Sequence, residues 1–258
     1  MTIHPSRESL ENHQIVTSER WLAARKELLK REKELTRLRD EVSARRRELP
    51  WVRVEKNYIF QGPHGPETLA DLFKSRSQLF VQHFMLGPDW DEGCVGCAFW
   101  ADHHDAANLH LAHHDVSLVA VSRGTWWDIE RFKTRMGWHF RWVSSHENDF
   151  NYDFQVSFTE AQIVRGEVVY NYERLDEGAG CEELAGFSVF YRSEIGEIFH
   201  TYSGYARAGD ILIGAYNYLD HTPKGRNERQ SMDWVRHHDC YGRESSAPTD
   251  RIGSLLSA

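Results

Sequence analysis

The sequence predicts an α/β fold in which helices flank a central mixed sheet, with a long N-terminal helix before it and a C-terminal extension after it. Three observations support this prediction. A charged helical run fills residues 19–49, apolar strands alternate with helices across residues 78–145, and two strand-like segments at 186–192 and 197–203 flank a turn. Alternating strands and helices favour parallel crossovers, whereas two strands joined by a short turn favour an antiparallel hairpin.

Residues 19–49 predict the longest helix. They contain no Gly or Pro, are rich in Leu, Ala, Glu, Lys and Arg, and are closed by Pro50. An apolar residue recurs every seven positions, at Trp21, Leu28, Leu35, Val42 and Leu49. The complementary heptad positions are only half apolar, so the apolar stripe is narrow. It predicts a helix that packs on its own domain or an arm that completes a homodimer.

The core elements follow in order. Residues 51–73 predict a strand, a Gly/Pro turn and a short helix that begins near Thr68. Residues 78–86, QLFVQHFML, are almost continuously apolar, which is typical of a strand buried on both faces. The later patterns predict helix 97–114, strand 115–123, helix 126–137, strand 140–145, hairpin strands 186–192 and 197–203, and a helix closing residues 206–220.

These elements divide the chain into an N-terminal helical arm (1–50), a core domain (51–220) and a C-terminal extension (221–258). Within the core domain, residues 159–185 show weaker periodicity and include the glycine-bearing stretch DEGAG. They predict an excursion from the sheet.

Composition narrows the classes of function. Asp and Glu outnumber Lys and Arg by 39 to 31, the formal net charge is -8, and the pI is near 6.0. Such a chain lacks the bulk positive field that non-specific nucleic-acid binding needs, so we expect no nucleic-acid partner. No run reaches the roughly 20 apolar residues of a membrane span, and the first 30 residues lack a signal-peptide core, so we expect a cytoplasmic protein without membrane contact.

The stretch DEGCVGCAFWADHHD places Cys94 and Cys97 three residues apart at the start of a predicted helix. Backbone N–H groups at a helix start stabilise a thiolate, which suits Cys94 as attacking and Cys97 as resolving thiol. Four acidic residues nearby oppose thiolate formation: Asp89, Asp91, Glu92 and Asp102. The pair is open to three interpretations: a redox dithiol, two metal ligands, or cysteines that serve neither role.

Several stretches carry a family resemblance. They are GCVGCAFWAD, SLVAVSR, WVSSHENDFNYDF, GFSVFYR, FHTYSGYARAGDILIGAYNYLDHTPKGR and DWVRHHDCY. Together they resemble the bacterial thioredoxin-like family catalogued as domain of unknown function 899, over nearly the whole chain. The resemblance implies a thioredoxin-like fold within the wider superfamily of thioredoxins and peroxiredoxins.

The sequence departs from both of those relatives. Peroxiredoxins carry a hydroxyl residue three positions before their reactive cysteine, where this chain has Asp91, and an arginine that residues 184–187 lack. Thioredoxins carry a proline between their cysteines and another facing them, whereas no proline occurs here from residue 89 to 222. The motif therefore does not predict an efficient peroxidase or a thioredoxin-like substrate groove.

The hairpin supplies two further candidate site residues. In a thioredoxin-like sheet the second hairpin strand ends beside the CxxC motif. Pairing Arg192 with Glu197 would set His200 opposite Val189 and Tyr202 on the same face as His200. We therefore predict that His200 and Tyr202 position a substrate, supply a proton or bind a metal. The alternative is that both are structural side chains between sheet and helix.

Three functions remain open. The first is a thiol-disulfide oxidoreductase without a cofactor, in which Cys94 and Cys97 act on a small-molecule or protein thiol or disulfide. The second is a copper- or zinc-dependent enzyme or metal-binding protein that uses Cys94, Cys97 and His200, with an aromatic-lined pocket for a small organic molecule. The third is a non-catalytic dimer that keeps only the fold.

Other cysteines and histidines carry weaker indications. Cys181 precedes the hairpin and is either a third thiol or a passive loop cysteine, and Cys240 has no assigned place. His110 and His114 have the i,i+4 spacing of metal ligands, but histidines near a helix C-terminus also serve as caps. We favour capping for that pair.

Overall fold

A computed structural model describes residues 13–175, 180 and 182–242. The chain forms two compact units, one up to residue 49 and one from residue 50 onward. The first unit holds helix α1 (Ser18–Glu48). Thr17 caps its N-terminus, because the Thr17 hydroxyl accepts a hydrogen bond from the Arg20 N–H. The heptad side chains of α1 are exposed. The homodimer through this helix stays a prediction.

The second unit is built on one large sheet and a small ribbon. Its strands are β1 (Val52–Arg53), β2 (Ile59–Gly62), β3 (Gly65–Thr68), β4 (Gln78–His83), β5 (Val116–Ser122), β6 (Arg141–Ser144), β7 (Val169–Tyr170), β8 (Glu173–Arg174), β9 (Gly186–Arg192) and β10 (Ile198–Tyr205). The sheet order is β1-β10-β9-β4-β5-β6-β2-β3, and β7 pairs with β8 separately. Strands β4, β5 and β6 are parallel, and β9 and β10 form an antiparallel hairpin beside β4.

The helices of the second unit are short. They are α2 (Leu69–Leu72), α3 (Val95–Ala101), α4 (His104–His113), α5 (Trp126–Arg135), α6 (Phe150–Asp153), α7 (Glu160–Val164) and α8 (Gly214–Leu219), with 3-10 segments at Ala206–Leu212 and His238–Cys240. Thr68 and Asp71 form a capping box at the start of α2. Among the described residues, no helix is both long and apolar enough to cross a bilayer.

The topology confirms the predicted thioredoxin-like fold. Strand β4 leads through α3 and α4 into the parallel strand β5, and the hairpin lies on the other side of β4 and is followed by α8. Strand β4 is buried along most of its length, at its apolar residues 79 and 81 and at its polar residues Gln82 and His83, because it lies inside the sheet with helices on both faces.

The two faces of the sheet carry separate cores. On one, called here the thiol face, Cys94 and Cys97 pack with Phe84, Phe132 and Trp142. On the other, called the histidine face, the core contains Phe60, Leu72, Leu79, Val81, Phe150, Phe154 and Phe190. Helices α3 and α5 cover the thiol face, whereas α2 and α6 cover the histidine face.

The single helix predicted over residues 97–114 is two helices. The break falls at Asp102 and His103, where the His103 N–H donates to the carbonyl of Trp100. The His103 ring is 3.0 Å from the Phe99 carbonyl through Nδ1 and accepts from the Ala215 N–H at 3.0 Å. The side chain therefore takes over a backbone carbonyl of the preceding helix, which favours the break.

The predicted register of the hairpin is wrong. Arg192 pairs with Ile198 and not with Glu197, because residues 193–197 form a five-residue loop with Gly196 at φ 88°. A β-bulge between His200 and Tyr202 then shifts the pairing again. His200 lies opposite Phe190, and Tyr202 lies opposite Val189. The extra residue breaks the alternation, so His200 and Tyr202 lie on opposite faces.

Candidate functional site

The two cysteines lie where β4 meets α3. The Cys94 N–H donates to the Met85 carbonyl at 2.9 Å, and the Cys94 carbonyl accepts from the Ala98 N–H at 2.9 Å as the helix begins. Gly93 permits this entry, because a Cβ at that position would lie 2.5 Å from the Phe84 ring. Both cysteines are free thiols, Cys94 is 7% exposed and Cys97 is 3% exposed.

The pKa values of the two thiols are shifted in opposite directions. The Cys97 thiol donates a hydrogen bond to the Cys94 sulfur, which lowers the pKa of Cys94, and the backbone N–H groups of Cys97 and Gly96 lower it further. The same bond raises the pKa of Cys97 well above its usual value, and burial raises it more. Of the two sulfurs, Cys94 is therefore the one that ionises more readily, although burial alone would disfavour a charge on either sulfur.

Two of the four acidic residues around the motif, Glu92 and Asp102, have partners of their own. The Glu92 carboxylate pairs with Arg135. The Asp102 carboxylate accepts from the indole N–H of Trp138 at 2.8 Å and lies 2.6 Å from Nδ1 of His238. These contacts anchor the C-terminal segment beside α3, a role that the sequence patterns did not indicate.

One buried carboxyl acts on the thiols through its charge. Glu183 is 1% exposed, pairs with Arg123 at 2.8 Å and accepts from the Ser157 hydroxyl at 2.7 Å. Burial raises the pKa of Glu183 to about 7. The Glu183 charge in turn raises the pKa of Cys97. A single acid just before a strand carries no motif, so sequence reasoning missed it.

A second missed contact fixes the backbone of α3. The Gln82 side-chain amide donates to the Cys97 carbonyl at 3.2 Å. Gln82 accepts in turn from His104 Nε2 at 2.7 Å. Burial lowers the pKa of His104 to about 3, so this histidine is neutral at pH 7. The pair ties the centre of β4 to the helix that carries Cys97.

A small apolar cavity of about 50 Å³ adjoins both sulfurs. Trp100 and Phe187 supply aromatic walls, and Ile213 and Met232 supply apolar ones. Gly204 lets the Phe187 ring lie against β10, because a Cβ there would be 2.6 Å from that ring. The cavity agrees in character with the aromatic-lined pocket that the sequence suggested, but it is narrow.

Met232 covers the motif. Its sulfur would lie 2.7 Å from a Cβ placed on Gly96, the residue between the two cysteines. Glu228 holds this segment by accepting from the Met232 N–H at 3.1 Å and from the indole of Trp234 at 2.9 Å. Further along, His237 Nε2 donates to the Gly93 carbonyl at 2.9 Å. The segment 228–240 is therefore fastened over the thiols.

A sequence model described as "Bacterial protein of unknown function (DUF899)" matches residues 10–241. The chain belongs to this family. No curated protein matches it.

Three solved structures of other proteins are similar at low identity. PrxQ from Xylella fastidiosa, as a cysteine-to-serine variant, is 11% identical, with 65% of this chain and 95% of that chain covered and a TM-score of 0.41. Peroxidoxin BcpB from Mycobacterium tuberculosis is 11% identical, with 66% and 96% covered and a TM-score of 0.42. Peroxiredoxin Q from Xanthomonas campestris, also a cysteine-to-serine variant, is 16% identical, with 62% and 90% covered and a TM-score of 0.37.

In this family member, His200 lies away from the thiols. Its ring packs against Phe154 and Phe190 on the histidine face, with centroid distances of 5.1 and 5.6 Å. His200 Nε2 is hydrogen-bonded to Ser203 at 2.8 Å. The metal constellation of Cys94, Cys97 and His200 is therefore not assembled. Across the described residues, no three His, Cys, Asp or Glu side chains form a group that could hold a metal ion.

Tyr202 lies on the thiol face but outside the cavity lining. It packs against Phe187 with a centroid distance of 5.8 Å. Its catalytic role stays a prediction.

The remaining candidates lie elsewhere. His110 and His114 are exposed near the end of α4. Cys240 lies 3.6 Å from the Arg135 guanidinium. Cys181 is outside the described residues.

Proposed function

We propose that this protein is a thiol-disulfide oxidoreductase in which Cys94 attacks and Cys97 resolves. The observation that carries the proposal is that two buried, free cysteines at the start of α3 both line an apolar cavity, where the hydrogen bond that Cys94 accepts from the Cys97 thiol lowers the pKa of Cys94. A lowered thiol pKa gives a larger fraction of the nucleophilic form at neutral pH.

The reaction proceeds in two exchanges. The Cys94 thiolate attacks one sulfur of a substrate disulfide, the substrate S–S bond breaks, and one substrate thiolate leaves and takes a proton from solvent. Cys97 then loses its proton and attacks the Cys94 sulfur, which releases the second substrate thiol. Two electrons pass to the substrate and a Cys94–Cys97 disulfide forms. An external dithiol reduces that disulfide and is itself oxidised.

The environment of Cys97 orders these steps. Before attack, the hydrogen bond to Cys94 and burial raise the pKa of Cys97, and the charges on Cys94 and Glu183 raise it further. Once Cys94 is in a mixed disulfide its negative charge is gone, so the pKa of Cys97 falls. Cys97 therefore becomes a nucleophile only when there is a mixed disulfide to resolve.

The cavity favours a small-molecule disulfide as substrate. Both cysteines are buried, and the space of about 50 Å³ beside them would admit only one end of a small disulfide, which is far less than a protein loop requires. Met232 would have to move before a protein disulfide could reach Cys94. We therefore place small disulfides before protein disulfides in the proposed substrate order.

Thiol counting on the full chain tests the function. The reduced protein is treated with cystine, and free thiols and intact mass are measured before and after addition of dithiothreitol. We expect the two motif thiols to disappear and return, and Cys97→Ser to accumulate a mixed disulfide on Cys94. Cys240→Ser is the matched control and should behave as the parent. An unchanged thiol count, or thiol loss that persists in Cys94→Ser, contradicts the proposal.

A further inference from the structure

A second cavity of about 400 Å³ lies at the other end of the parallel strands. The CxxC motif follows the end of β4, whereas this cavity is lined by Lys74 and Arg76 before β4 and by Arg141 at the start of β6. The two cavities share no lining residue. We propose that this second cavity binds a small organic anion that carries two or more negative charges on an apolar or aromatic body.

Charge is the first reason. Four cationic side chains line the cavity, Lys74, Arg76, Lys133 and Arg141, against one carboxylate, Glu67. Glu67 pairs with Arg141, and in the described part of the chain the other three form no ion pair within 4.0 Å. Arg76 also acts on the carboxylate of Asp115, which is not part of the lining. A protein of net charge -8 thus concentrates an excess of positive charge in one concave site, where it attracts anions.

Preorganisation is the second reason. The Arg76 guanidinium donates to the Ala112 carbonyl and to the Ser117 hydroxyl, both at 3.2 Å. Arg141 donates to the Asp71 carbonyl at 3.1 Å and pairs with Glu67. A guanidinium has five donors, so each arginine is held in place and keeps N–H groups for a ligand. Groups fixed before binding lose less entropy when the ligand arrives.

Shape is the third reason. The walls include Leu118 and the buried Trp142, so part of the lining is apolar. A volume of about 400 Å³ falls within the usual range for small-molecule sites. An inorganic ion would fill only a small part of this space. The combination of cationic rim and apolar wall fits an organic phosphate or polycarboxylate.

Calorimetric titration of the full chain tests this inference. The probes are adenosine monophosphate, citrate and inorganic pyrophosphate, at low salt and at about 0.15 M salt. We expect one saturable site for an organic anion, with weaker binding at higher salt. Lys74→Met combined with Lys133→Met should weaken binding by about tenfold or more, because each substitution removes a charge-assisted contact.

Lys224→Met is the matched control, since it removes an exposed lysine outside the cavity. It should bind the probes as the parent does. Absence of saturable binding by all three probes overturns the proposal, as does equal weakening by Lys224→Met. Pyrophosphate binding tighter than both organic probes overturns the organic part. Circular dichroism of the double variant must match the parent, and if it does not, Lys133→Met alone is tested with the same expectations.

Discussion

Buried polar groups have different surroundings on the histidine face and on the thiol face of the sheet. On the histidine face, His83 is hydrogen-bonded to Ser188 at 2.8 Å, Ser188 to Ser203 at 2.7 Å and Ser203 to His200 at 2.8 Å. This series of hydrogen-bonded side chains is packed against the aromatic core. On the thiol face, the polarised cysteines adjoin a cavity under the side chain of Met232.

This comparison shows that burial and a shifted pKa do not by themselves mark a reactive group. Both faces contain fully buried groups with shifted pKa values, including His83, whose pKa burial lowers to about 3. Cys94 and Cys97 line a cavity, whereas His83 and His200 line neither of the two cavities described above. Under the proposed function, the hydrogen-bonded histidines and serines are structural and the thiols are the reacting groups.

The largest expected effect comes from the nucleophile. Cys94→Ser should lower the rate of disulfide reduction by about a thousandfold or more, because a hydroxyl is not ionised at neutral pH. His200→Leu should keep that rate within about threefold and lose about 1–3 kcal/mol of stability, because Ser203 loses a buried partner. Steady-state reduction of cystine and urea unfolding measure the two quantities. A comparable loss of rate in both variants would show that the two faces are not functionally separate.

Acid should weaken the protein through both faces. His83 and His104 have folded pKa values of about 3, below the ordinary value of 6.5, so the unfolded chain binds more protons between these limits. Their contribution to stability is full above pH 6.5 and falls as the pH drops toward 3, by up to about 1.4 kcal/mol per pH unit for each histidine. Glu183 acts in the opposite sense, since its raised pKa gives stability that is lost as the pH rises through about 7.

The contribution of one histidine can be isolated by substitution. The free energy of unfolding of His104→Gln should depend less steeply on pH than that of the parent, by up to about 1.4 kcal/mol per pH unit between pH 6 and 4. Urea unfolding at several pH values measures this slope. Equal slopes for the two proteins would contradict a buried, neutral His104.

The cover over the thiols should control access. Met232→Ala should raise the rate of Cys94 alkylation by iodoacetamide by about three- to tenfold, because the side chain over Gly96 is removed. Met232→Leu preserves the bulk and serves as the matched control, with a rate close to that of the parent. Alkylation at the same rate in the alanine variant would mean that the reagent reaches Cys94 by another route.

The smallest effect concerns the charge beside Cys97. In a Cys94→Ser background, Glu183→Gln should lower the pKa of Cys97, because a negative charge is removed nearby. The ultraviolet absorbance of the thiolate, followed against pH, measures it. Glutamine preserves the side-chain volume and can still accept a hydrogen bond from Ser157. An unchanged titration would therefore exclude the Glu183 charge as a determinant of the pKa of Cys97.

Local patterns predicted the elements because their causes are local. The helix-forming residues before Pro50, the apolar run of β4 and the Thr68 cap each act within a few positions. The two cysteines were identified as the central pair for the same reason, since their three-residue spacing places them one turn apart on α3.

Pairing across the sheet decided what the patterns missed. The bulge between His200 and Tyr202 depends on how β10 fits β9, and a one-residue shift moves a side chain to the other face. A rule based on alternation therefore placed His200 wrongly.

The sequence by itself determined the order of strands and helices and the position of the dithiol, because periodicity and spacing encode both. Only the tertiary structure brought Gln82, Glu183 and Met232 to that dithiol from three distant parts of the chain. The resulting contacts and burial shift the pKa values of the two cysteines and leave only a small cavity beside them. Those effects depend on the neighbours in space that exclude water from a group, and folding decides which neighbours those are.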